Sequence, residues 1–221
     1  MAMTNTLRDP RVVSALDRMF TGAAQDEAAS QRLDDDPAVD LASMTAQERA
    51  DAAAEIYMPV SAAGGRLLYT LVRATRPGTV VEFGTSFGIS TVHLAAAVRD
   101  NGTGRVITTE LSASKARAAR QTFTATGLDD VITLLEGDAR ETLARLDVSP
   151  GLVLLDGWKD LYLPVLHLLE PRLAPGTLVV GDDIHLRSVQ PYLDYVRAPA
   201  SGYENVTFPD QDEGMEISCR T

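Results

Sequence analysis

Five short apolar runs rich in β-branched residues recur between residues 79 and 183: TVVEF at 79–83, RVITTEL at 105–111, VITLL at 131–135, LVLLD at 152–156 and TLVVGDD at 177–183. Antiparallel strands can be joined by a tight turn, but parallel ones need a crossover of about a dozen residues or more. The first, second, fourth and fifth runs are followed by helices or helix-length intervals, so the spacing predicts βαβ units. The runs are apolar almost throughout instead of alternating, which marks strands covered on both faces. Two later segments, YENVTF at 203–208 and GMEISCR at 214–220, are separated only by the polar turn PDQDE and read as an antiparallel hairpin. The expected architecture is α/β: a mostly parallel sheet ending in an antiparallel C-terminal hairpin, with helices on both faces.

Upstream of the sheet, Val12, Val13, Leu16, Met19 and Phe20 recur at helical spacing and predict a helical lead-in over residues 1 to about 50. Residues 26–40 carry DDDP and few large apolar side chains, so a solvated connection without chemistry is expected there. SAAGGRLLYTLVRAT reads as a helix with Leu67, Leu68, Leu71 and Val72 on one face, stopped by Pro77-Gly78. A length of 221 residues fits one domain. Twenty Lys plus Arg against 31 Asp plus Glu leave a net charge of −11. Such a surface repels phosphate backbones and anionic lipid, which argues against nucleic-acid and membrane partners. The lone Cys219 cannot form an internal disulfide. No uncharged apolar run approaches the roughly 18 residues of a membrane span. The start MAMTNTLRDP lacks the apolar core of a secretory signal, and a cytoplasmic location is expected.

The first run leads directly into Glu82-Phe-Gly84-Thr-Ser-Phe-Gly88-Ile-Ser90, followed by a helix from about Thr91. Glycines at 84 and 88 permit a sharp turn and close approach to a ligand, and the exposed N–H groups of a helix start suit an anionic group. The spacing departs from the dinucleotide fingerprint, which disfavours a nicotinamide-linked dehydrogenase. The second run ends in Glu110, where a carboxylate can accept hydrogen bonds from ribose hydroxyls. The third ends in Glu136-Gly-Asp138-Ala139. Asp138 is a candidate acceptor for an adenine amino group, and Gly-Asp-Ala serves nearly as well as a turn and N-cap.

The fourth run ends in Asp156-Gly-Trp158-Lys159-Asp160 and the fifth in Asp182-Asp183. Acids at both strand ends would meet in the crevice, where three carboxylates repel one another unless a cation such as Mg²⁺ or Ca²⁺ sits between them; the alternative is a set of N-cap aspartates, which suits one position better than three. His93 and His167 fall inside helical segments and read as core or helix-face residues. His185 divides evenly between a substrate-side role and simple exposure, and Tyr162 reads as packing.

The string D-x-W-K-D-x-Y-L-P at 156–164, with E-I-Y-M-P-V at 55–60, E-x-G-x-x-x-G-x-S at 82–90, T-x-E at 108–110 and D-D-I at 182–184, resembles the Mg²⁺-dependent catechol O-methyltransferases among class I S-adenosylmethionine methyltransferases. The resemblance runs from about residue 55 to 220. It implies a single Rossmann-like methyltransferase domain over 1–221, with 1–55 a helical extension forming part of a substrate cap. It implies methyl transfer to a hydroxyl of a small hydroxylated aromatic, with Mg²⁺ or another divalent cation on Asp156, Asp182 and Asp183 and Lys159 as general base. Val60, Glu82, Gly84, Gly88, Ser90, Glu110, Asp138, Ala139, Asp156 and Trp158 would surround S-adenosylmethionine. Met58, Trp158, Lys159 and Asp183 would line the acceptor cleft, and the base would be a lysine of lowered pKa. A homodimer is left open, as is a metal-independent methyltransferase acting on another acceptor. The chain departs from the family in three places. Asp183 stands where asparagine is usual, Leu186-Arg187 stand near the usual proline, and the glutamate that holds a second hydroxyl aligns near Thr207, with Asp210 and Asp212 close by.

Overall fold

Strands that are apolar on both faces have to be sandwiched, and the chain supplies a helical layer for each face. The structure, a computed structural model, describes residues 5–36, 39–41, 43–210 and 214–221. Its strands are β1 (Thr79–Phe83), β2 (Arg105–Glu110), β3 (Ile132–Glu136), β4 (Leu152–Leu155), β5 (Leu178–Gly181), β6 (Tyr203–Phe208) and β7 (Met215–Arg220). They form one sheet in the order β3-β2-β1-β4-β5-β7-β6. The first five are parallel, and β7 runs antiparallel to both β5 and β6. This is the architecture expected from the sequence. β3 starts one residue late because Asp129–Val131 forms a 3-10 turn. β4 and β5 stop short of Asp156 and Asp182, so these acids leave the sheet.

The two-residue period of a strand assigns its side chains to two cores. Val80, Val106, Leu152, Leu154 and Val180 pack with α1 (Pro10–Ala23), α4 (Ala62–Thr75), α5 (Ile89–Asn101) and α6 (Ala113–Thr126). Val81, Phe83, Val153, Leu155 and Val179 pack on the other face with α7 (Ala139–Thr142), α8 (Tyr162–Leu169) and α9 (Gln190–Arg197). α5 lies between α4 and the sheet and is buried along most of its length, which is why its sequence shows no polar stripe.

The stretch 26–40, expected as a solvated connection, instead contains α2 (Asp26–Asp34). Its sequence DEAASQRLD has no apolar face, so periodicity gave no sign of it. Asp26 anchors it, accepting the backbone N–H groups of Tyr57 and Met58 at 2.9 and 2.8 Å. α3 (Ala46–Ala52) begins with a reciprocal cap between Thr45 and Glu48. Pro37 of the DDDP run and residues 211–213 of the hairpin turn, Asp212 included, lie outside the described residues. Among the described residues no helix is long and apolar enough to cross a membrane.

Candidate active site

The parallel strands aim their carboxyl ends at one edge of the sheet, where an open α/β sheet forms its ligand crevice. A cavity of about 320 Å³ lies there, walled by the turns after β1 to β4, Asp183, Leu186, residues 57–60 and α3. Gly84 makes this closeness possible. Its φ is +104°, and a Cβ there would stand 2.5 Å from the carbonyl oxygen of Asp156. Three non-glycine residues in the same wall, Met58, Ser86 and Asp183, have φ of 46°, 47° and 54°. Such backbone persists only where surroundings hold it. Ser86 is held twice: its N–H donates to Glu110 Oε2 at 2.7 Å, and its hydroxyl donates to the Tyr57 carbonyl at 2.6 Å.

At one end of the cavity Glu110 is 9% exposed, and its other oxygen accepts the Ser112 N–H at 2.8 Å. Burial pushes its carboxyl pKa up, while the Ser112 N–H, the Lys115 charge and the Ser86 N–H pull the other way. Each oxygen keeps a lone pair for a further donor. Val60, Gly84, Ser90, Asp138, Ala139, Asp156 and Trp158 line the cavity with it. Two residues expected on the cofactor do not. Glu82 is fully buried beneath the loop, where the hydroxyls of Thr91 and Thr108 donate to it. Its place on β1, two residues from Val80, points it into the face covered by α1, α4, α5 and α6. Gly88 caps the start of α5 with φ of +96° and packs toward Phe123. The Asp138 carboxylate is engaged by the Arg140 guanidinium and by the Arg140 backbone N–H, so the capping role is the one the structure displays. Lys115, unmarked by any motif, lines the same end of the cavity.

At the other end Asp156 and Asp183 line the cavity, while Asp182 is buried beside them and outside the lining; the three each present a carboxylate oxygen within 4.8 Å of the others. Lys159 Nζ lies 2.7 Å from Asp183 Oδ2 and 3.4 Å from Asp156 Oδ1, and donates to the Tyr162 hydroxyl at 2.8 Å. The hydroxyl of Tyr162 in turn donates to the Asp182 carbonyl at 3.3 Å, so Tyr162, expected only to pack, also positions Lys159. The expectation of a lowered lysine pKa is corrected here. Burial works against the charge of Lys159, but Tyr162 and the three carboxylates outweigh it and hold the pKa well above that of an ordinary lysine. Burial also pushes the Asp156 carboxyl well up, opposed by Lys159 and reinforced by the other acids. A hard-oxygen donor set of this kind fits Mg²⁺ or Ca²⁺.

Met58, Trp158, Lys159 and Asp183, expected along the acceptor cleft, all line the cavity, joined by Leu186 and by Ala46 and Ala50 of α3. α3 is latched across it: Arg49 forks onto Asp160 at 3.2 and 3.1 Å and lies 4.8 Å over the Trp158 ring. Arg49 was missed because its partners lie 109 and 111 positions away in the chain. Thr207 is not at this cavity, since its hydroxyl donates to Glu216 on the hairpin. Asp210 accepts from Ser61, and His185 is exposed outside the wall.

Residues 81–184 match a family described as a methyltransferase domain. The chain is 35% identical over 167 residues to catechol O-methyltransferase B of Danio rerio, covering 70% of this chain and 62% of that protein. It is 32% identical over 147 residues to the catechol O-methyltransferase of Sus scrofa, covering 63% of this chain and 78% of that protein. The chain thus spans about three fifths of the length of the Danio rerio relative. Among solved structures, cofactor-bound Rv0187 from MTB aligns with a TM-score of 0.69 at 25% identity, covering 96% of this chain and 97% of that one. The matched region contains Glu110, Asp156, Lys159, Asp182 and Asp183.

Proposed function

The chain belongs to the catechol O-methyltransferase family of S-adenosylmethionine-dependent O-methyltransferases, and from that membership we propose that it transfers a methyl group to a hydroxyl of a catechol-like small molecule. The observation that carries the reading is the joining of two ends in one cavity: Glu110 at one, and Lys159 among three carboxylates at the other. Glu110 and the turn from Gly84 to Ser90 would hold S-adenosylmethionine, and Asp156, Asp182 and Asp183 would hold Mg²⁺ or another divalent cation. When bound, these supply an electrophilic methyl group on a sulfonium and a Lewis acid for the acceptor oxygen.

The chain's own part is to orient and to move a proton. A phenol has a pKa near 10 and needs a base at neutral pH. Lys159 Nζ is that base, and its proton is retained as long as the carboxylates around it are uncompensated. A dication on those carboxylates would weaken their hold, bringing the lysine toward the range in which it accepts a proton. Tyr162 fixes the direction of Nζ. Met58, Trp158 and Leu186 present an apolar wall suited to an aromatic ring. Alignment of two reactants is worth up to roughly 7–11 kcal/mol of barrier, so positioning supplies much of the rate.

One observation favours a second reading, a metal-independent methyltransferase. The Lys159–Asp183 pair already offsets part of the acidic cluster without an added cation. A methyl-transfer assay on a catechol panel, with chelator and then with restored Mg²⁺, separates the two. The first reading expects activity to vanish with chelator and to return with Mg²⁺, and Lys159→Met to lower turnover about 10²–10⁴-fold with cofactor affinity little changed. Undiminished turnover in chelator selects the second reading, and absence of transfer to any catechol removes the proposed acceptor class. The lone Cys219, which has no partner for an internal disulfide, is the feature that supports a cytoplasmic setting.

A further inference from the structure

Lys115 is placed where an ammonium is costly. It is 3% exposed, and it stands in the first turn of α6, where the helix dipole opposes a positive charge. Among the described residues its Nζ makes neither an ion pair nor a hydrogen bond. It stands 5.7 Å from the centroid of the Phe87 ring and faces the cavity. Two carboxylates, Glu110 and Asp26, attract it from beyond contact distance, and burial still brings its pKa down to about 8. A leucine or methionine would fill much of the same space without these penalties. An amine held in this way has unused donors directed at whatever fills the cavity.

The neighbour at the same end of the cavity defines what that occupant is. Glu110, when ionised, only accepts hydrogen bonds, and Lys115 only donates them. A vicinal diol needs both, because each hydroxyl is a donor and an acceptor at once. A phosphate in the same place would gain from Lys115 but be repelled by Glu110. We propose that Lys115 is a further cofactor-binding residue, its ammonium donating to the oxygens of the ribose hydroxyls whose protons Glu110 accepts. The inference rests on the reading of the cavity as a S-adenosylmethionine site and adds a donor that no motif marks.

The test is calorimetric titration of the full chain with S-adenosylhomocysteine and with its 2′,3′-dideoxy analogue. Lys115→Met is expected to bind S-adenosylhomocysteine about ten-fold or more weakly than the parent, and Lys115→Arg to recover most of the loss. With the dideoxy analogue the difference between parent and Lys115→Met should shrink to about two- or three-fold, because the hydroxyls that the amine serves are gone. Parent-like affinity of Lys115→Met for S-adenosylhomocysteine overturns the inference. An equal deficit for both ligands also overturns it, since it would show Lys115 acting on the shape of the pocket. If Lys115→Met does not fold, Lys115→Gln is read against the same two ligands by the same criterion. A parent protein that binds neither S-adenosylmethionine nor S-adenosylhomocysteine instead overturns the cofactor reading itself, a result visible before any variant is made.

Discussion

Burial pushes the Glu110 carboxyl pKa up, and on its proposed role as ribose acceptor this gives cofactor binding a pH dependence of known sign. Its folded pKa is raised, so as pH falls through that value the carboxylate gains a proton and loses an acceptor for the ribose. S-adenosylmethionine affinity is therefore expected to fall on acidification, beginning above the ordinary carboxylate range. Glu110→Gln should bind about ten-fold more weakly at neutral pH and show a flatter profile, measured as dissociation constants across pH. For stability alone the sign is reversed. A group whose folded pKa is raised favours the fold most below its unfolded pKa, and that contribution is lost as pH rises through the folded value. Asp156 and Lys159 were legible in the sequence because they share the string D-x-W-K-D-x-Y-L-P, and Asp182 and Asp183 because they close the fifth apolar run. Lys115 and Arg49 were not, because what marks them is burial and contact with residues distant in the chain. The direction of the Lys159 pKa shift was equally hidden, since it depends on how closely the loops after β4 and β5 converge.

At the level of elements, strand periodicity and glycine placement announced the sheet, whereas the cap was hard to read. β1 and β6 fall on the expected residues, because β-branched runs bounded by turn residues have few alternatives. α2 and α3 are short and polar, and beyond the local Thr45–Glu48 cap of α3 they are fixed by tertiary anchors: Asp26 on Tyr57 and Met58, Arg49 on Asp160 and Trp158. The Arg49 latch reaches the Lys159 end of the cavity, the proposed acceptor side, so Arg49→Ala is expected to raise the acceptor KM several-fold while leaving S-adenosylmethionine affinity unchanged. An exposed ion pair contributes only about 0–1 kcal/mol, and the melting temperature should move little. Steady-state kinetics with both substrates varied, alongside a melt, checks both halves of this expectation.

Across the whole molecule, an acidic chain concentrates three carboxylates at the ends of β4 and β5, and a cation that binds only the folded form must stabilise it. Mg²⁺ at about a hundred times its dissociation constant adds roughly 2.7 kcal/mol. For a chain of this size that is a rise of about 5–10 °C in melting temperature. Differential scanning calorimetry should show this rise in the parent and lose it in Asp156→Asn. An unchanged melt in saturating Mg²⁺ would remove the cation from the site. The last strand brings a different consequence. β7 lies between β5 and β6, and the Gly214 carbonyl just before it accepts the Ile184 N–H at 3.4 Å, one residue past Asp183. β2, which carries Glu110, is instead paired on both sides by β1 and β3. When the β6–β7 ribbon opens as a unit, the loop of Asp182 and Asp183 loses its outer support while the β1–β2–β3 ladder stays closed. Amide hydrogen exchange should therefore report a sub-global opening shared by β6, β7 and Ile184, at lower free energy than that of β1 and β2. In that transient form the Glu110 end of the cavity would stay assembled while the carboxylate cluster would not, so the two ends would differ in how long they persist.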